Sequence, residues 1–102
     1  MDLVTMAGVG GWSDTMDANE DIQKICDQVK PKLSGFNFRE FNAVKYRNQI
    51  VAGTNFLIKV HVGGDDYIHL SLFQELPCHG GKVVLNVVQL KKTKDEPLTP
   101  LH

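Results

Sequence analysis

The sequence has few of the features that define specialised classes of protein. It contains only two cysteines, Cys26 and Cys78, which are too few for the disulfide framework of a small secreted domain. No apolar stretch approaches the ~20 residues that a membrane-spanning helix needs, so we expect no membrane partner. The first residues lack the basic start and the continuous apolar stretch of a signal peptide. We therefore predict free thiols in a reducing compartment and a cytoplasmic location.

An excess of one charge is also missing. Eleven Lys and Arg stand against twelve Asp and Glu, which gives a formal net charge of −1. Nothing therefore attracts the chain to a polyanion, and we expect no nucleic-acid partner. Hydrophobic residues make up 42% and charged residues 23% of the 102 residues, which are ordinary values for a globular protein. We predict a single domain over 1–102, with the glycine-rich segment 1–11 as a flexible N-terminal arm.

Motifs that would indicate an enzyme or a cofactor site are absent. None of the serines stands in a G-x-S-x-G context, and no phosphate-binding G-x-x-x-x-G-K-[ST] loop occurs. The glycines of 8–11 neither follow a predicted strand nor open a βαβ unit, so they do not predict a dinucleotide site. Cys78 and His79 are adjacent in a predicted turn, where their side chains should point apart, and no third residue orients them. We predict neither catalysis nor a cofactor.

Histidines and cysteines are too scattered to predict a metal site. Zinc needs about four ligands at recognisable spacings, and the chain has no C-x-x-C or H-x-x-x-H motif. His61 and His69 fall on neighbouring predicted strands, with Cys78 and His79 further along. We interpret His61 and His69 as exposed residues on a strand face and predict no metal.

One helix is predicted in the first third of the chain. Its apolar residues recur at helical spacing: Ile22, Ile25, Cys26, Val29 and Leu33. Asp17 followed by Glu20 resembles a capping box, and Asn19 is a rival N-cap. Pro31 should kink or end the helix, and Gly35 is a natural stop.

After the helix, the hydrophobic period changes to the alternation of half-buried strands. About four strands are predicted, around 44–46, 56–62, 67–72 and 83–90. The segments 63–66 and 76–81 have the composition of turns. The polar tail 91–102 is predicted to be an irregular or lightly packed end. This order indicates an α+β fold, in which an antiparallel sheet of four to five strands wraps around one helix.

The segment 49–53 is unusual because it is uncharged and mostly apolar at a predicted hairpin tip. Loop tips usually carry polar residues, and an exposed apolar tip loses solvation unless a partner covers it. The alternative is that the segment continues a buried strand, with Ala52 and Gly53 as a bulge. Composition alone leaves both interpretations open.

Residues 49–53, Gln-Ile-Val-Ala-Gly, resemble the Gln-Val-Val-Ala-Gly signature of the cystatin superfamily, with Ile50 in place of Val. The surroundings are also similar: Gly10 and Gly11 precede the predicted helix, 22–31 resembles the stefin helix, 51–60 the stefin hairpin, Leu76 and Pro77 the second hairpin, and 95–99 the stefin tail. The length and the lack of two disulfides resemble the stefins, the intracellular type 1 cystatins, more than the secreted members.

The resemblance implies a cystatin-like fold and a reversible, tight-binding, competitive inhibitor of papain-like cysteine proteases such as the lysosomal cathepsins. In that family, three segments form a wedge that fills the active-site cleft and performs no chemistry. The resemblance assigns protease contact to Val9, Gly10, Gly11, Gln49, Ile50, Val51, Ala52, Gly53, Leu76, Pro77, Cys78 and His79. The alternative is a non-inhibitory cystatin-fold module that binds another protein through the same hairpins.

The chain is expected to be mainly monomeric, with two routes to a dimer. If 49–53 straightened, the arm, helix and first strand could exchange between two chains. Oxidation of Cys78 could also link two molecules through a disulfide.

Overall fold

A computed structural model describes residues 11–100 of the chain, so the predicted contact residues Val9 and Gly10 lie outside the described residues. The elements in chain order are β1 (Met16–Asp17), α1 (Glu20–Val29), a 3-10 helix (Lys30–Leu33), β2 (Asn42–Val51), β3 (Gly53–Gly63), β4 (Asp66–Gln74), a second 3-10 helix (Pro77–His79) and β5 (Val83–Lys92). The strands form one antiparallel five-stranded sheet in the order β1-β2-β3-β4-β5. The predicted α+β class is confirmed.

Helix α1 is capped by Asn19 and not by the predicted capping box of Asp17 and Glu20. The backbone N–H of Ile22 donates to Asn19 Oδ1 at 3.0 Å, so Asn19 is the N-cap. Asp17 is instead a strand residue of β1, where it faces Lys45 of β2 and forms an ion pair with it. The capping-box prediction was therefore wrong and the Asn19 alternative is confirmed, because pairing with β2 holds Asp17 in the extended conformation. The α-helix ends at Val29, just before Pro31, as predicted.

The hydrophobic core lies between the helix and one face of the sheet, which we call the inner face. All five residues of the predicted helical stripe are buried there. They pack with strand residues two apart in sequence, which share a face: Phe56, Ile58, Val60, Val62, Ile68, Leu70 and Leu72. Cys26 is 0% exposed, and burial raises the pKa of its thiol to about 12. This thiol is therefore an inert core group.

The opposite, outer face of the sheet carries part of the polar tail, the C-terminal segment 93–98. Leu98 is 2% exposed, and its carbonyl accepts from Arg47 Nη1 at 2.5 Å. Lys59 of β3 is 5% exposed, and its Nζ donates to the carbonyls of Lys94 and Glu96 at 2.5 and 2.6 Å. As predicted, the segment after β5 is irregular, although Lys91 and Lys92 extend β5. Strand cations bond to its carbonyls, because the segment has no ladder of its own.

His69 is buried on the outer face, so the prediction of an exposed histidine was wrong for this residue. It lies opposite Lys59 across the β3–β4 pair and is 3% exposed. Burial first, and then the charges of Lys59 and Lys92, lower the pKa of His69 to about 4. His61 is only partly covered, and its Nδ1 lies 3.0 Å from Glu40 Oε2.

Across residues 11–100, no group of three or more His, Cys, Asp or Glu side chains is arranged to hold a metal ion. Helix α1 and the other helical turns of this described part are too short and too polar to cross a bilayer.

Candidate functional site

Three segments of the chain meet at one end of the sheet, which we call the loop edge: 11–13, 49–53 and 76–79. Thr54 at the start of β3 pairs with Gln74 at the end of β4, and Gln74 pairs with Val83 at the start of β5. The β2–β3 turn and the β4–β5 connection therefore lie at the same end. Because β1 runs antiparallel to β2, the residues before Met16 lead toward that end as well.

The first hairpin is tighter than the sequence predicted. Val51 pairs directly with Gly53, so Ala52 alone separates β2 from β3. Gln49 and Ile50 are strand residues, in agreement with one part of the alternative interpretation. The other parts of that alternative were wrong, because Ile50 is 56% exposed and the β2–β3 pairing stays in register from Lys45 to the tip. The hairpin tip is an exposed apolar turn built on a regular ladder.

Gly53 fixes the shape of this turn for two reasons. Its φ is +126°, which favours glycine over any residue with a side chain. A Cβ atom at this position would also lie 2.5 Å from the ring of Phe73 and 2.6 Å from the carbonyl oxygen of Gln74. The tip therefore rests directly on β4, and any larger residue at position 53 would force the two strands apart.

A hydrogen bond between two side chains also stabilises the first hairpin. Asn55 Nδ2 donates to Gln49 Oε1 at 2.9 Å, and the two residues are paired across β2 and β3. This bond links the two strands below the tip. The turn is therefore supported by side chains as well as by the backbone ladder.

The second segment of the loop edge is a single 3-10 turn. The N–H groups of His79 and Gly81 donate to the Leu76 carbonyl at 2.9 and 3.0 Å. The segment leaves this turn through Gly80 and Gly81, both with positive φ. Leu76 is 37% exposed, and Cys78 is an exposed free thiol. An apolar side chain and a thiol thus stand at the same edge as the first hairpin.

The third segment is the start of the described chain. Gly11 is exposed, and a Cβ atom there would meet nothing within 4 Å in the described part of the structure. Ser13 is tied to β2 in both directions: its N–H donates to the Asn48 carbonyl at 2.8 Å, and its Oγ accepts from the Asn48 N–H at 3.0 Å. Sequence reasoning missed Ser13 and Asn48, because a polar pair outside any motif carries no sequence signal.

The loop edge is neutral. None of its three segments contains Asp, Glu, Lys or Arg, and the exposed side chains Ile50, Ala52 and Leu76 are apolar. A partner could cover this edge without desolvating a full charge, which is the main cost of burying a polar surface. The exposed apolar side chains of this edge are suited to binding another apolar surface. Ten of the predicted site residues, Gly11, 49–53 and 76–79, are brought together here.

Known proteins resemble this chain over most of its length. Residues 10–95 match the family model of the cystatin domain. Cystatin-B from Oplegnathus fasciatus is 49% identical over 92 residues, which cover 87% of this chain and 92% of that protein. Stefin-C from Bos taurus is 46% identical over 94 residues, covering 89% and 93%. Leukocyte cysteine proteinase inhibitor 1 from Sus scrofa is 44% identical over 93 residues, covering 88% and 90%.

Proposed function

This chain belongs to the cystatin family, as a member of the stefin type, and on that premise we propose that it is a reversible, tight-binding, competitive inhibitor of papain-like cysteine proteases of the cathepsin kind. One observation supports the proposal: the described parts of the three segments that the resemblance assigns to protease contact lie at one neutral, largely apolar edge of the sheet. Cystatins are protease inhibitors and not enzymes, so we assign no residue a catalytic role.

The proposed mechanism is a three-part wedge. The arm, the first hairpin and the second hairpin would enter the active-site cleft together, and the contacting residues would be Val9, Gly10, Gly11, Gln49, Ile50, Val51, Ala52, Gly53, Leu76, Pro77, Cys78 and His79. Burial of the exposed side chains Ile50 and Leu76 contributes roughly 25 cal/mol per Å² of apolar surface before the costs of association.

The rigidity of the first hairpin favours tight binding. Gly53 rests on β4, and Gln49 is bonded to Asn55, so the tip is ordered before it meets a protease. Little conformational entropy remains to be lost on binding. The ladder that joins Val51 to Gly53 also keeps the peptide bonds of the tip in a closed hairpin. A protease needs an extended peptide across its catalytic residues, so it would be blocked without cleaving the tip.

The proposed partners and state follow the stefin pattern. We propose an intracellular protein of the cytoplasm that acts mainly as a monomer. Cys78 is the exposed thiol and Cys26 the buried one, so an oxidative dimer would form through Cys78. A dimer made by exchange of the first hairpin would lose the tip and should therefore not inhibit.

Titration of papain and of a cathepsin-L-type protease under reducing conditions tests the proposal. We expect stoichiometric inhibition that is recovered on dilution. Gly10→Arg should weaken inhibition by roughly tenfold or more, equivalent to about 1.4 kcal/mol, because the arm would have to place a bulky charged side chain against the protease.

Gly35→Arg is the matched control. Gly35 is exposed, and a Cβ atom there meets nothing within 4 Å among the described residues. It lies between the 3-10 helix Lys30–Leu33 and β2, at the end of the sheet away from the loop edge. This variant should inhibit like the unmodified chain. If a folded monomer fails to inhibit either protease, the non-inhibitory binding module is the correct interpretation.

A further inference from the structure

We infer that Arg47 is a positioning residue that aligns the N-terminal arm with the apolar hairpin; the inference rests on the proposed inhibitory function. Arg47 lies on β2, the strand that leads into the hairpin tip. Its Nε donates to the Ser13 carbonyl at 2.9 Å, and its Nη1 donates to the Leu98 carbonyl at 2.5 Å. One guanidinium thus fastens segments near both ends of the chain to the strand that carries the tip.

The described start of the chain is joined to the sheet through β1 and through Ser13. Strand β1 is only two residues long and pairs with β2 at Met16 and Asp17. Beyond it, Ser13 is the first residue along the described part of the chain that hydrogen-bonds to the sheet. Its carbonyl is held by Arg47, while its N–H and Oγ bond to Asn48. Within the described part of the chain, Ser13 is therefore the residue nearest to Gly10 that is hydrogen-bonded to the sheet.

The position of Ser13 beside β2 relates the length of the arm to the position of the hairpin tip. Ser13 lies beside Asn48, and the two strands run antiparallel. Gly10 precedes Ser13 by as many residues as Val51 follows Asn48. An extended chain advances about 3.3 Å per residue, so the span from Ser13 to Gly10 and the span from Asn48 to Val51 are both ~10 Å. A chain held at Ser13 has the reach to bring Gly10 level with the hairpin tip.

Arginine suits this role better than lysine. Its planar guanidinium presents several donors in a fixed fork, which lets Nε and Nη1 address two separate carbonyls at once. Charge-assisted bonds of this kind are roughly twice as strong as neutral ones. Both acceptors are backbone oxygens, so the contact depends on the path of the chain and not on the side chains of Ser13 and Leu98. Arg47→Lys retains the charge but loses the fork.

A double-mutant cycle on the inhibition constant for a cathepsin-L-type protease tests the inference. The four proteins are the full chain, Arg47→Met, the chain shortened through Gly10, and the shortened chain with Arg47→Met. We expect Arg47→Met to weaken the full chain by roughly tenfold, mainly through faster dissociation, which corresponds to about 1.4 kcal/mol. It should change the shortened chain by less than about twofold, because the part that Arg47 positions is gone. The inhibition constant of Arg47→Lys should lie between those of the full chain and of Arg47→Met.

Fluorescence gives a readout that does not need a protease. Trp12 is the single tryptophan, it is half-buried, and it precedes the anchored Ser13. Arg47→Met should shift its emission to longer wavelength and increase its quenching by acrylamide. Arg39→Met is the matched control, because Arg39 is the other arginine of the chain, is exposed, and lies before β2 at the opposite end of the sheet. It should change neither fluorescence nor inhibition.

The outcomes separate the inference from the proposed function. Equal weakening of the full and shortened chains by Arg47→Met would overturn the inference, as would an unchanged full chain. If the unmodified protein does not inhibit, the proposed function fails, and Trp12 alone then decides: emission that is unchanged in Arg47→Met overturns the anchor, and shifted emission supports it.

Discussion

The two faces of the sheet are covered by different physical means. On the inner face, α1 contributes buried apolar residues that meet Ile58, Val60 and Leu70, all 0% exposed. On the outer face, the C-terminal segment lies over the strands, fastened by Lys59 and Arg47 through its backbone carbonyls. The backbone hydrogen bonds of the helix are satisfied within the helix, so apolar contact is enough to hold it on the sheet. The irregular segment bonds the Thr93 carbonyl to its own Glu96 N–H, whereas the carbonyls of Lys94, Glu96 and Leu98 accept from side chains of the sheet.

This difference predicts that the contact of α1 with the inner face is less sensitive to a substitution or to pH than the contact of the C-terminal segment with the outer face. Apolar burial is non-directional and does not depend on protonation. A cover that depends on a few charge-assisted bonds can be loosened by one substitution or by a change of pH. At the loop edge, the first hairpin is held by the contact of Gly53 with β4 and by the Gln49–Asn55 bond, whereas the proposed alignment of the arm depends on the outer-face residue Arg47.

The largest effect is expected on the inner face. Ile58→Ala should lower the free energy of unfolding by about 3 kcal/mol, because it leaves a cavity in a fully buried site. Urea unfolding followed by circular dichroism measures this change. Leu57→Ala is the control, since Leu57 is 4% exposed but points to the outer face, where the C-terminal segment can adjust. Equal losses for the two variants would contradict the comparison.

A smaller effect is expected when the C-terminal segment on the outer face loses its hydrogen bonds to Lys59. Lys59→Met should lower the free energy of unfolding by about 1–2 kcal/mol, because the bonds to Lys94 and Glu96 are lost while the burial of a charge is relieved. Hydrogen exchange over 93–98 should become faster than in the unmodified chain. Lys45→Met is the control: Lys45 is the cross-strand neighbour of Lys59, but it pairs with Asp17. Unchanged exchange in Lys59→Met would show that other contacts hold the segment.

An effect of similar size to that of Lys59→Met is a dependence of stability on pH. The pKa of His69 is lowered to about 4 in the folded protein from an ordinary value of 6.5, so the unfolded chain takes up the proton first as the pH falls. Stability should therefore be complete above pH 6.5 and decline toward pH 4, by about 1–2 kcal/mol after allowance for screening. The groups that face His69 are Lys59 and Lys92, which oppose its protonation, and Glu96, which favours it.

Thermal unfolding between pH 7 and pH 4 measures this decline. His69→Gln should flatten the curve over that interval, because it removes the titrating group. Identical slopes for the two proteins would show that other groups are responsible, such as Asp17 and Glu96, whose pKa values are lowered by Lys45 and by the Thr93 N–H respectively.

The helix and the strands were predictable from the sequence because their hydrophobic residues recur at regular spacings. The helical stripe that includes Ile25 and Val29 and the alternation through Ile58 and Leu70 are properties of local periodicity, and the structure buries them as expected. The apolar composition of 49–53 was equally visible, although the exposed turn at Ala52 and the contact of Gly53 with Phe73 were not. The choice between Asp17 and Asn19 as the cap depended on a pairing with β2 that no local pattern reveals.

The sequence by itself determined the fold class, the apolar hairpin and the resemblance to the stefins, because these depend on the spacing of hydrophobic residues and on short motifs, which involve residues close together in the chain. Only the tertiary structure decided which polar residues are buried. His69 and Lys59 have the spacing of exposed strand residues, yet the C-terminal segment covers them. The anchoring of Ser13 by Arg47 likewise joins residues far apart in sequence. Hydrogen bonds from side chains to distant carbonyls leave no periodic trace, since any backbone carbonyl can accept them.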